Sequence, residues 1–315
     1  MVGMLAVALV PIFFGLLLGY GAGISKAVDN LNVRTLVSLV MNFALPCMLF
    51  LAIVQAPRDI LWSQGRVILV MIAVFAVLHG ATYYFGRRVL GTNAPDSAVL
   101  ALTVAFPNFT AVGLPLLDAV YGAHSTVTVA AGLATGAMTI SPITLAVLEG
   151  TSPAGRAMTG TARTGRAILR AIRRPVVWAP AAGLLAVWLN LQLPAYAARS
   201  LNVIGSATAG AGLFLTGLIV SAQKFEMDWK VLLVTAAKNV AQPALCLLIA
   251  KAVSLPLDLT RCAVLMMAIP CGYFGLVFGK GFDSSPISAS STLVISYAVG
   301  VVTLAGWILA LGYLR

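Results

Sequence analysis

The apolar residues of this 315-residue chain fall in unbroken runs of about 20, the length an α-helix needs to cross the hydrocarbon core of a bilayer. Charged residues make up 9% of the chain, against roughly 25% in a soluble domain. A water-facing surface of this size could not be covered with so few of them. Membrane strands would read as segments of about 10 alternating residues, and these runs do not alternate. The expected fold class is therefore an all-α polytopic membrane protein.

Ten spans are expected, at about 3–22, 34–54, 66–86, 97–118, 127–148, 175–192, 201–221, 229–250, 260–280 and 290–312. The first lacks the positive n-region of a signal peptide and reads as a membrane helix. Most connections are short. The exception is 150–174, which carries Arg156, Arg163, Arg166, Arg170, Arg173 and Arg174 and no acidic residue. It divides the chain into a first half at 1–149, a basic linker, and a second half at 175–315. Positive residues mark cytoplasmic loops. With the linker inside and the N-terminus outside, 13 Lys and Arg residues fall inside and 6 outside. The net charge of +11 thus reads as a topology signal, and no nucleic-acid partner is expected.

Five spans per half is the arithmetic of an inverted repeat. Prolines at matching depth add to it. Span four holds Phe106-Pro107-Asn108 and span nine holds Ile269-Pro270-Cys271-Gly272, each after an Ala-Val-Leu. Broken backbone at membrane depth is tolerated only where it is buried in protein or lines a watery cavity. The expectation is that helices 4 and 9 break and cross, with Pro107 and Pro270 at the crossover. Half-helix N-termini there favour an anion. Asn108 and Thr110 would add donors, and Gly272 would admit a ligand to the backbone. The alternative is a pair of kinked helices that merely pack.

Lys238 sits near the middle of span eight, where a lysine costs roughly 2.5–3.5 kcal/mol. No Asp or Glu lies mid-span to pair with it. Two readings stand: a tether to carbonyls and nearby amides, or a partner for an anionic substrate. His79 in span three is either a hydrogen-bonded packing residue or part of a proton relay. No HExxH, paired carboxylates or Ser/His/Asp set points to catalysis, so no enzyme, metal site or cofactor is expected.

The motifs FPNFTAVGLPLLDAVYG at 106–122, AIPCGYFGLVFGKGF at 268–282, MNFALPCMLF at 41–50 and GAGLFLTGLIVSAQKF at 210–225 resemble those of the auxin efflux carrier family. That family includes plant auxin efflux carriers and bacterial malonate and organic-anion carriers. The resemblance spans nearly the whole chain, and the short linker is similar to bacterial members. It implies a homodimer of two inverted five-helix repeats, an elevator-like movement, and a substrate carboxylate near Asn108 with Pro107 and Pro270 at the crossover. The expected substrate-binding set is Asn108, Thr110, Cys271, Gly272 and Lys238. The acidic residue that plant members carry in span three is missing here. The expected function is secondary transport of small organic anions, malonate-like, across the inner membrane, coupled to H+ or Na+. The competing expectation is a non-transporting solute sensor or partner subunit.

Overall fold

The computed structural model describes residues 2–151, 165, 169, 173 and 175–313. Most of the expected basic linker lies outside them. Among the described residues there are helices and no strands. The helices are α1 (Val2–Ile24), α2 (Arg34–Gln55), α3 (Arg58–Arg88), α4 (Ala94–Ala105), α5 (Phe109–Tyr121), α6 (Thr126–Thr151, interrupted at Thr139), α7 (Pro175–Trp188), α8 (Ala195–Ser221), α9 (Trp229–Ala252), α10 (Leu257–Ala268), α11 (Phe274–Lys280) and α12 (Ile287–Gly312). Seven of these are long and apolar enough to cross a membrane, and α4, α5 and the core of α7 are shorter apolar helices. The protein is a multi-pass membrane protein.

The chain folds into two compact units that interleave along the sequence. The first takes Met1–Ile68, Phe109–Ala134 and Ile172–Ala222. Here α1 lies along α8, and glycines set their spacing. A Cβ at Gly19 would strike the Phe214 carbonyl, and one at Gly217 would strike the Leu16 carbonyl. Lipid offers no hydrophobic drive for helices to associate, so close backbone approach between small residues supplies the contact. Gly15, Gly19 and Gly23, four residues apart, put that stripe on one face of α1. Asn30 Nδ2 donates to Ser221 Oγ at 2.9 Å and ties the end of this pair.

The second unit takes Leu69–Asn108, Thr135–Ala171 and Gln223–Arg315. Its centre is α4 and α10, whose residues 97–105 and 262–268 are all buried. Local sequence starts the helices cleanly. Asn93 caps α4 by accepting from Asp96 N at 2.8 Å, with Pro95 in the first turn. Asp228 caps α9 by accepting from Val231 N at 2.7 Å.

Three helices contain a π-helical turn: Val40–Ala44 in α2, Phe109–Gly113 at the start of α5 and Ala237–Ala241 in α9. Each is followed two residues later by a proline, Pro46, Pro115 or Pro243. A helical proline has no N–H for the carbonyl four residues back, and its ring crowds that carbonyl. A widened turn relieves the crowding. For Pro243 that carbonyl belongs to Asn239, and Trp307 Nε1 donates to it at 3.0 Å.

Candidate functional site

The site lies in the second unit, where two helices stop short. α4 and α10 are each 12 residues long, and each ends in alanine, one extended residue and a proline. The residue before a proline is pushed out of the helical region by the proline ring. Phe106 has φ −100° and ψ 100°, and Ile269 has φ −60° and ψ 138°. Both chains are thus extended as they pass, and they form one antiparallel β-bridge between Pro107 and Cys271.

Buried backbone groups must find partners, and at this junction they do. Asn108 N donates to Pro270 O at 3.1 Å, and Gly272 N donates to Phe106 O at 2.9 Å and to Thr103 O at 3.2 Å. Cys271 N donates to Ser296 Oγ of α12 at 3.2 Å. The chain passes so closely here that a Cβ on Gly272 would overlap the Phe106 carbonyl. The neighbour that demands glycine at 272 is therefore the other broken strand.

The carbonyl ends of the two half-helices are capped by α9. Its π turn and the residue after it present Lys238 and Gln242 on one face, four residues apart. Gln242 Nε2 donates to Ala105 O at 2.8 Å, the last residue of α4. Lys238 Nζ donates to Met267 O of α10 at 2.9 Å and to Gln242 Oε1 at 2.6 Å. Asn239 faces α12, with Nδ2 donating to Ser296 O at 3.0 Å.

Asn108 is fully buried, and its Nδ2 donates to Tyr297 OH of α12 at 2.6 Å. Lys238 is the one buried Lys or Arg among the described residues. Three more polar atoms, Thr103 Oγ1, Tyr273 OH and Asn239 Oδ1, are buried without a hydrogen-bond partner among the described residues. A compact polar centre has thus been assembled from α4, α9, α10 and α12, around one lysine and, among the described residues, no carboxylate.

Of the residues singled out in the sequence, Pro107, Asn108, Pro270, Cys271, Gly272 and Lys238 come together here. Thr110 falls in the first unit, in the π turn of α5, and is buried. His79 of α3 is buried, with Nε2 against Thr144 Oγ1 of α6 at 2.9 Å. Sequence reasoning missed Ser296 and Tyr297. Their signal was a Ser-Tyr pair inside the apolar run of span ten. Gln242 is one of the nearby amides of the tether reading, and Lys238 reaches it together with a backbone carbonyl. The four-residue spacing of Lys238 and Gln242 was the available clue.

Comparison with known proteins follows the same lines. A family model described as membrane transport protein matches residues 4–308. The chain is similar to the uncharacterized transporter YfdV of Escherichia coli strain K12, and to the YfdV proteins of Escherichia coli O157:H7 and Shigella flexneri. Each is 29% identical over 303 residues, which cover 95% of this chain and 95% of the relative.

Proposed function

The chain belongs to the membrane transport protein family, the family of the auxin efflux carriers, and on that premise we propose that it is a secondary carrier of small organic anions. A malonate-like dicarboxylate is the leading substrate. The observation that carries the charge preference is Lys238: a fully buried lysine beside the junction, in a unit whose buried acidic residue among those described is Glu149, near the C-terminal end of α6. A positive charge in a low-dielectric surrounding attracts an anion more strongly than it would in water.

In this reading the substrate carboxylate binds at the junction. Asn108 provides a side-chain amide donor, and Cys271 and Gly272 form the opposite wall. Lys238 supplies the electrostatic attraction. Pro107 and Pro270 keep both backbones extended so that they can pass. The equal lengths and matching ends of α4 and α10 support a ten-span inverted repeat with halves 1–149 and 175–315. Such repeats place substrate sites at broken helices and work by alternating access. The carrier is a homodimer with its N-terminus outside and linker 150–174 in the cytoplasm, and His79 is the residue to test for proton coupling.

The test is a thermal-shift screen of mono- and dicarboxylates on the purified protein, followed by uptake of the best ligand into sealed proteoliposomes. A ligand that binds the folded protein raises its stability by mass action. The proposal expects a dicarboxylate to give the largest shift and to accumulate in the vesicles. Binding without uptake would favour a solute sensor, and a preference for cations or neutral solutes would remove the anion reading.

A further inference from the structure

The last carbonyls of an α-helix have no partner within the helix and carry a partial negative charge. Two such ends are buried at the junction, those of α4 and α10. In transporters with broken helices, carbonyls in this position are a usual place for a coupling cation. Here a side chain reaches them instead. Lys238 Nζ donates directly to Met267 O of α10, and through the Gln242 amide it is linked to Ala105 O of α4. One ammonium group serves both helix ends. Its partners are a carbonyl and an amide oxygen, the neutral oxygen donors that suit an alkali-metal ion.

We propose that Lys238 is a built-in counter-cation: its ammonium takes the oxygen atoms that would otherwise hold an alkali-metal ion, so this carrier works without sodium bound at the junction. The idea builds on the transporter reading, but it concerns cation binding and is tested without transport. Lys238→Ala removes the ammonium and leaves Met267 O and Gln242 Oε1 without their donor. A small cation is then the natural replacement.

The experiment compares melting of the purified wild type and Lys238→Ala in sodium chloride and in choline chloride of equal ionic strength. The wild type should melt at the same temperature in both. The variant should melt lower in choline and rise by about 5 °C when sodium exceeds its dissociation constant ~100-fold. Lys238→Gln, closer in size, runs the same comparison if the alanine variant does not fold. Variants indifferent to sodium would overturn the proposal. So would a wild type that gains as much from sodium as the variants do, and that arm needs no variant to fold. If sodium rescues the variant while malonate fails to bind the wild type, the substrate assignment falls and the counter-cation stands.

Discussion

At the scale of single residues, the junction separates recognition from support. Asn108 lies on one of the two extended segments and donates to Tyr297, Gln242 holds the end of α4, and Lys238 holds the end of α10 while supplying the charge. Gln242→Leu strands Ala105 O and removes one acceptor from Lys238. Each unsatisfied buried group costs about 1–3 kcal/mol, so the variant should melt several degrees lower even without substrate; an unchanged melting curve would argue against the capping role. Lys238→Met keeps the volume and removes the charge. It should weaken malonate binding by at least about tenfold, as a charge-assisted contact of ~1.5–3 kcal/mol would require. A titration giving equal affinity would return Lys238 to a purely structural role. Asn108 was legible in the sequence because an amide beside a proline stands out in an apolar run. Tyr297 was not, because its hydroxyl is paired with Asn108 across 189 positions of sequence, and no local pattern reports such a pairing.

At the scale of elements, prolines and glycines decide the geometry. Pro107 and Pro270 announced both breaks, since a proline displaces the residue before it from the helix wherever it stands. The π turns before Pro46, Pro115 and Pro243 were less visible. Proline identifies the crowded carbonyl, but only the packed structure decides whether the helix kinks, breaks or widens. Gly272→Ala brings a Cβ onto the Phe106 carbonyl, and the backbone there is pinned by two hydrogen bonds. The junction must open to admit the methyl group, so transport should fall sharply while the protein still reaches the membrane. Gly19→Val acts elsewhere, forcing α1 off α8 at Phe214. It should lower stability and yield without changing the substrate affinity of the protein that does fold. Measuring malonate affinity for the two variants side by side tests this division, which fails if Gly19→Val alters affinity as much as Gly272→Ala does.

At the scale of the whole molecule, the apolar runs made the membrane class plain, and family membership was legible in four motifs spread from Met41 to Phe282. The two compact units were not. Their segments interleave, so no linker or change in composition marks where one gives way to the other. Orientation rests on charge alone. A single cysteine at Ser152, in a background lacking Cys47, Cys246, Cys262 and Cys271, should react with a membrane-impermeant maleimide only from the cytoplasmic side. Labelling from outside would invert the topology. The central claim is that substrate anion is held at the junction by Asn108, and uptake tests it most directly. Wild type and Asn108→Ala are reconstituted at equal density and orientation in sealed proteoliposomes, and initial rates of labelled malonate uptake are compared at subsaturating concentration. Loss of a buried polar contact of about 1.5–3 kcal/mol predicts a rate at least tenfold lower for the variant, with normal folding and insertion. An Asn108→Ala carrier that takes up malonate at the wild-type rate would contradict the account.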